Sequence, residues 1–305
     1  MQNNKVIIGL SGGVDSAVAA HLLLQRGFDV TGIYMQNWET NNDDPYCSAE
    51  QDLSDAKAVS DHLGLDFHVI DFSREYWNRV FQYCLDEFSS GRTPNPDIWC
   101  NKEIKFNVFL QHAMELGADF LATGHYATII PKSSHFEMHK AKDHNKDQTY
   151  FLYTLNQQQL SQCLFPLATL TKPEVRQIAH DIALPNANKK DSTGICFIGE
   201  RKFKDFLKEF ILGKPGDIIS DTGNRIGRHD GLMYYTLGQR KGLEIGGIKG
   251  KDESPWYVID KRVKDNQLIV GQGHDHANLL SNRLQCDNAH WVNEQPPLHF
   301  ACRAK

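Results

Sequence analysis

The sequence predicts an α/β protein, with a doubly wound parallel sheet at its N-terminus followed by a smaller β-rich part. Three observations carry this. Short apolar, β-branched runs alternate with helical patterns from Lys5 to Thr123. A glycine-rich turn, Ser11-Gly12-Gly13, joins the first of those runs directly to the first helix. Near residue 200 the pattern changes to short alternating strands separated by Gly, Asp and Asn. Alternation of strands and helices buries a parallel sheet between helices through right-handed crossovers, whereas short strands with dense turn signals make a small β domain.

In order, the runs read as strand Lys5–Leu10, a helix from Asp15, strand Asp29–Met35, a helix over about Glu50–Leu63, strand Asp66–Ile70 and a helix over about Arg74–Phe88. A helix over about Ile104–Leu116 and strand Asp119–Thr123 follow. Val14, Val18 and Leu22 recur at helical spacing, and Gly27 stands where a left-handed cap ends a helix. Expected domains are 1–200, 201–275, and 276–305 as the start of a further β unit. In such a sheet ligands sit beyond the C-terminal strand ends, where "LSGGVDS" and "ATGHYA" (122–127) fall.

Composition narrows the function classes. With 40% hydrophobic and 23% charged residues the chain is an ordinary globular one. No apolar run approaches a membrane span, and Val6–Leu10 is too short for a signal-peptide core, so no membrane partner and a cytoplasmic location are expected. Seven cysteines without a C-x-x-C argue against a disulfide scaffold or structural zinc. The net charge of −5 hides an asymmetry: residues 1–150 hold 12 Lys+Arg against 21 Asp+Glu, the rest 21 against 17. By itself that excess is a solvated surface.

Three segments carry chemistry. Backbone N–H groups of Ser11-Gly12-Gly13 at a helix N-terminus form an anion site without a cationic side chain. Ser11 and Ser16 add hydroxyls, Asp15 is placed to hold Mg2+, and the Walker pattern with its lysine is absent. In "RTPNPDIWCNKEIKF" (92–106), Asn95 reads as an N-cap with Pro96 in the first helical position, which puts Asp97 and Cys100 three apart on one face. Taken singly, Cys100 is a small buried residue; beside Lys102 and Lys105 in a first turn it reads as a thiol of lowered pKa. The third segment comprises "KDQTYFL" (146–152) and "DSTGICFIGERKF" (191–203). There Cys196 among apolar neighbours reads as an inert core residue, with Gly194 allowing a close backbone approach.

"SGGVDS" resembles the pyrophosphate loop of the ATP pyrophosphatase superfamily, enzymes that cleave ATP between its α- and β-phosphates and need no lysine on the γ-phosphate. Together with "NPDIWCNKEIKF", "ATGHYA", "KDQTYFL", "STGICFIGERKF", "GKPGDII" and "YTLGQRKGLEIGG", it is similar in order and spacing to the bacterial tRNA-specific 2-thiouridylases over essentially the whole chain. The resemblance implies an adenine nucleotide alpha-hydrolase-like domain, a β-rich central domain and a partial C-terminal β-barrel. It implies ATP contacts at Gly9, Leu10, Ser11, Gly12, Gly13, Val14, Asp15, Ser16, Met35 and Gly124. Asn95, Pro96 and Asp97 meet the target uracil, and Lys146, Asp147 and Gln148 touch tRNA. Cys100 is the nucleophile and Cys196 the persulfide carrier, the two forming a disulfide after turnover.

The implied reaction is ATP- and Mg2+-dependent 2-thiolation of the wobble uridine in the Lys, Glu and Gln tRNAs through an adenylated intermediate. Sulfur comes from a cysteine desulfurase or a sulfur-relay protein. Asp97 is base or orienting group, and hydrosulfide or persulfide attacks C2; both pairs stay open. Alternatives are another AMP-forming ligase or amidotransferase on the same loop, or a non-catalytic nucleotide- or RNA-binding protein. The family's barrel continues beyond the segment resembling "FACRAK", so the chain is expected to stop short of a basic stretch that contacts tRNA. RNA is expected to approach across 189–208, Arg225, Arg228, Arg240 and Lys241.

Overall fold

In the computed structural model, residues 4–38, 49–191, 203–245 and 254–303 are described. Cys47 and Cys196 lie outside them. The chain divides into two compact units: 1–80, 96–199 and 289–305 form one, and 81–95 with 200–288 form the other.

The first unit is built on a five-stranded parallel sheet of order β3-β2-β1-β4-β7, from β1 (Lys5–Gly9), β2 (Asp29–Gln36), β3 (Asp66–Asp71), β4 (Phe120–Ala122) and the short β7 (Cys163–Leu164). Val6, Ile7 and Ile8 of the central β1 are all at most 1% exposed, which is why this strand reads as a continuous apolar run rather than an alternation. Each contributes about 1.5–3 kcal/mol by burial. Strand order reverses at β1, whose neighbours are β2 on one side and β4 on the other. In open α/β sheets ligands bind beyond the C-terminal strand ends at such a point.

Helix α1 (Val14–Gln25) follows the glycine loop, with Ala17, Ala19 and Ala20 letting its neighbours approach closely and Val18 and Leu23 fully buried. It ends as its sequence requires. Gly27 has φ +81°, its N–H donates to Leu24 O, and the Phe28 N–H reaches Leu23 O, the paired bonds of a Schellman cap. Helix α2 (Ala49–Leu63) precedes β3. The helical run over 73–89, α3, contains a π-type stretch at Trp77–Phe81.

The expected helix over Ile104–Leu116 begins earlier and is not uniform. Helix α4 runs over 96–115 as an α-helical turn (Pro96–Trp99), a π-helical stretch (Cys100–Phe109) and a final α-helical turn (Leu110–Glu115). Periodicity alone could not show the widening, because Ile104, Phe106 and Phe109 are fully buried on more than one side. An antiparallel hairpin of β5 (Ala127–Pro131) and β6 (Phe136–Lys140), absent from the sequence expectations, follows β4. The short helix α5 (Gln157–Ser161) leads into β7. Helix α6 (Lys172–Asp181) opens with a capping box between Thr171 and Glu174 and has Pro173 in its first turn.

The second unit holds a four-stranded sheet of order β10-β11-β8-β9, from β8 (Gly216–Ser220), β9 (Arg225–His229), β10 (Trp256–Arg262) and β11 (Gln267–Gln272). Helix α7 (Phe203–Lys208) buries Phe206 and Leu207, and Phe210 packs on Phe81 with ring centroids 4.9 Å apart. Where a further β unit was expected, the described residues 276–303 hold one 3₁₀ turn, Ala277–Leu279, and no strand. They are almost all exposed, and a strand without a partner leaves its backbone to water.

Candidate nucleotide and thiol site

The loop after β1 is held by its own side chains. Gly12 has φ +74°, and a Cβ there would run into the Asp52 carbonyl oxygen. Ser16 Oγ donates to Gly13 O (3.0 Å) and accepts from the Ser11 N–H (3.2 Å), while Asn186 Nδ2 donates to Gly12 O (2.9 Å). Leu10 N–H bonds Ile33 O, so the strand continues up to the turn. Gly13 is the N-cap of α1, in extended conformation. Gly124, just beyond β4, lies against this turn: a Cβ there would stand 2.7 Å from Ser16 N and 2.8 Å from the Asp15 carbonyl carbon. Met35, at the end of β2, brings its Cε to 3.9 Å from the position of a Cβ on Gly9. The sheet therefore gathers Gly9 to Ser16, Met35 and Gly124 at one end.

Asp15 is the exception to the sequence expectation. Its Oδ1 accepts from Tyr126 OH at 2.8 Å and from Lys172 Nζ at 2.6 Å. A lysine ammonium on that oxygen is a poor neighbour for a divalent cation, and among the described residues no group of three His, Cys, Asp or Glu could hold a metal. The described residues do not form a site for a resident Mg2+.

Lys172 also meets Asp191 Oδ1 (2.8 Å), which Arg176 shares at 2.7 Å, and Lys146 takes Asp191 Oδ2 at 2.6 Å. Burial pushes the Asp191 carboxyl up, but the hydrogen bonds and charges of Lys146 and Lys172 outweigh it and hold it down at about 2. Lys146, expected against tRNA, is thus ion-paired. Asp147 is buried and accepts from Thr149 Oγ1 at 2.9 Å, and Gln148 Oε1 takes the Tyr126 N–H at 2.9 Å. Lys172, Tyr126, Arg176, Asp191 and Asn186 were not singled out from the sequence. The Thr171-Lys172-Pro173-Glu174 capping box marks a helix start, but nothing in it shows where Lys172 reaches.

The head of α4 differs in kind. Burial raises the pKa of the Asp97 carboxyl from its ordinary value, and the Lys105 charge only partly opposes it. Cys100, three residues on, opens the π-helical stretch and is 1% exposed. Lys102, expected to act on that thiol, is turned to its neighbours: its Nζ lies 4.3 Å from the Trp99 ring centroid and 3.5 Å from Glu103 Oε1. Asn101 Nδ2 donates to Phe151 O (3.0 Å) and Gln159 Nε2 to Phe106 O (2.6 Å), tying the widened helix to the segment after residue 146. His125 is buried, its Nδ1 2.7 Å from Thr123 Oγ1; burial, with the Lys105 charge, holds its pKa well below the ordinary value.

Several bases expected to face RNA are committed elsewhere. Lys189 pairs with Asp52 and Asp55, Lys204 and Lys208 both meet Asp230 Oδ2 (2.9 and 3.0 Å), and Arg225 meets Asp217 (2.8 Å). Arg228, Arg240 and Lys241 are exposed.

A parallel sheet with a glycine loop at its switch point, followed by a β-rich part, defines a two-part class, and family models match the two parts in turn. Residues 4–200 match the tRNA methyl transferase HUP domain and 204–272 the tRNA methyl transferase PRC-barrel domain. The chain is 57% identical over 305 residues to the tRNA-specific 2-thiouridylase MnmA of Coxiella burnetii (strain RSA 493 / Nine Mile phase I), covering all of this chain and 84% of that protein. It is 56% identical over 293 residues to the protein of that name from Serratia proteamaculans (96% and 80%) and 55% over 303 residues to that of Proteus mirabilis (99% and 83%). The chain belongs to the tRNA-specific 2-thiouridylase family.

Proposed function

We propose that the chain is a tRNA-uridine 2-sulfurtransferase that uses ATP to replace O2 of the wobble uridine by sulfur. The observation that supports it best is the meeting of the glycine loop and Gly124 at the sheet's switch point, in a chain of this family. Gly9 to Ser16, Met35 and Gly124 receive ATP. The N-terminus of α1 favours the phosphate chain, and Asn95-Pro96-Asp97 receives the uracil. Uridine O2 attacks the α-phosphate, pyrophosphate leaves, and O2 becomes part of a good leaving group.

Cys196 carries the sulfur as a persulfide. The Cys100 thiolate attacks the Cys196 sulfur, forming the Cys100–Cys196 disulfide and releasing hydrosulfide; attack on C2 then expels AMP. In the alternative order, the persulfide attacks C2 first and Cys100 resolves it. Either way, a two-electron thiol reductant restores the pair. Asp97, whose charged form burial disfavours, is suited to accept a proton. Mg2+ is assigned to the incoming nucleotide's phosphates, since this ion commonly binds with substrate phosphates rather than in a protein cage. A persulfide donor such as a cysteine desulfurase or sulfur-relay protein, the Lys, Glu and Gln tRNAs as substrates and a cytoplasmic location complete the reading.

The test is incubation with ATP, tRNA and a persulfide source, with nucleoside and nucleotide products separated by chromatography. 2-Thiouridine should appear together with equal amounts of AMP and pyrophosphate. ADP and phosphate as products would remove the assignment, and nitrogen transfer without a need for either cysteine would favour an amidotransferase.

A further inference from the structure

Helix α4 carries Asp97 and Cys100 at its head, and from Cys100 to Phe109 it is π-helical. Such stretches are rare and mostly a single turn, so something must hold this one open. Its ladder decides where the head points. In i→i+5 bonding each residue takes the place that the next one would occupy in an i→i+4 helix. A return to α-helical bonding would therefore move every head residue into the place of the one before it, about 100° round the axis. Cys100, 1% exposed, would then stand where half-buried Trp99 stands.

Where i→i+5 bonding gives way to i→i+4 bonding, an N–H that bonds five residues back is followed by one that bonds four back, and the carbonyl between their acceptors is passed over. At the C-terminal end of the stretch a backbone N–H donates to Asn107 O, and the Phe106 carbonyl, one position earlier, accepts from Gln159 Nε2 at 2.6 Å. Phe106 is fully buried, where a carbonyl left without a donor is costly. Gln159 thus supplies from outside the bond that the helix gives up by widening.

Gln159 is itself fixed. Its Oε1 accepts the Asn156 N–H at 2.9 Å and its own N–H donates to Asn156 Oδ1 at 2.9 Å, the capping box of α5. With Oε1 engaged as acceptor, Nε2 is left as the donor, so the two partners set the orientation of the amide. α5 leads into β7, which pairs with β4. At the other end of the stretch Asn101, 2% exposed, donates from Nδ2 to Phe151 O at 3.0 Å. One segment, 151–159, therefore clips the widened helix at both ends.

We infer that Gln159 is a positioning residue for thiolation: by taking the passed-over carbonyl of Phe106 it holds α4 in its widened ladder and so sets the face on which Asp97 and Cys100 stand. It acts through the helix. The inference rests on the reading of Asp97 and Cys100 as reacting groups.

Three variants of the full chain test it: Gln159→Glu, Gln159→Met and Asn156→Ala. Glutamate keeps the acceptor of the capping box, where it is a usual residue, and loses the donor to Phe106 O. Asn156→Ala removes one bond of the box and leaves the Gln159 donor in place, a control for a loosened α5. Thiolation is followed in a single turnover at saturating ATP, and ATP affinity by titration. Iodoacetamide labelling of Cys100 is read by mass spectrometry of its peptide against that of Cys163. Cys163 is buried in β7 just after α5, so a general loosening would expose both thiols.

Gln159→Glu should slow thiolation by about tenfold or more, leave ATP affinity within about twofold of wild type, and speed Cys100 labelling by about threefold or more with Cys163 unchanged. Gln159→Met should act in the same direction to a smaller extent, since it places no charge beside Phe106 O. Asn156→Ala should match wild type. Unchanged thiolation or unchanged Cys100 labelling in Gln159→Glu, equal effects in Asn156→Ala, or parallel gains at Cys100 and Cys163 would overturn the inference. If neither Gln159 variant folds, the residue is structural and the inference falls likewise. Wild-type protein that makes no 2-thiouridine would remove the thiolation reading, and the labelling contrast then decides the register of α4 by itself.

Discussion

Beside the glycine loop Lys146 and Lys172 hold the Asp191 carboxyl at about 2, while at the head of α4 burial moves the Asp97 carboxyl in the opposite direction against the Lys105 charge. The same residue type is therefore held in its charged form in one region and has that form disfavoured in the other. A charge held over the neutral range suits a frame that binds and orients a polyanion. A carboxyl whose charged form is disfavoured suits proton transfer. In the proposed function binding falls to the loop and chemistry to α4, a contrast that can be broken at either end.

The largest expected effect is at the thiols. Cys100→Ser and Cys196→Ser should each bring persulfide-dependent formation of 2-thiouridine below detection in a single-turnover assay, while ATP affinity measured by titration stays within twofold of the wild type. Cys163 is the counter-case: burial pushes its thiol up, out of the reactive range, so Cys163→Ala should retain thiolation to within about twofold. Loss of ATP binding in Cys100→Ser would merge the two regions and defeat the comparison.

Next is Asp97→Asn, which should lower the thiolation rate by about 10²–10⁴-fold and abolish the acid limb that Asp97 contributes to the pH–rate profile. Stability provides a second check. Because the folded pKa is raised, the folded state binds more protons than the unfolded chain between the ordinary pKa and the raised one, so Asp97 weakens the fold as pH rises through that window. Urea midpoints of Asp97→Asn should therefore equal or exceed wild type at neutral pH, and any advantage should vanish below about pH 3. A lower midpoint at neutral pH would show Asp97 to be a structural carboxylate like Asp191.

Gly124→Ala probes the loop. Its Cβ meets the backbone of Asp15 and Ser16, which cannot swing aside as a side chain could, so the turn has to shift. We expect a loss of about 1–3 kcal/mol in stability and about a tenfold loss in ATP affinity, read by denaturant melts and titration. Activity at saturating ATP should suffer less than in Asp97→Asn.

The smallest effect is expected from Asp191→Asn, followed as stability against pH. Its folded pKa is depressed, so its contribution is complete above the ordinary carboxylate pKa and is lost as pH falls towards about 2. The variant should be modestly less stable than wild type at neutral pH and indistinguishable from it near pH 2 in urea melts. A gap that persists at pH 2 would mean the residue acts through packing rather than charge.

Much of the frame was legible because it is local. Val6-Ile7-Ile8 before Ser11-Gly12-Gly13 reads as strand, turn and helix from neighbours within a few positions, and β1, β2 and β3 fall within a residue or so of their expected bounds. Gly27 ends α1 as expected, because only backbone conformation is at stake there. The hairpin of β5 and β6 escaped notice: its strands mix Thr, Glu, His and Lys with apolar residues on a partly exposed ribbon.

The sequence by itself determined the order of elements, the glycine loop's place at a strand end, and the family. Each depends on residue types at short, countable spacings. Tertiary structure alone decided that Asp15 is answered by Tyr126 and Lys172, 111 and 157 positions away, and that Lys146 turns to Asp191. It also decided that α4 widens at Cys100 and that Asp97 and Asp191 titrate in opposite directions. Charge and desolvation act through space, and the groups that set them at one point come from segments whose separation along the chain bears no relation to their distance in the fold.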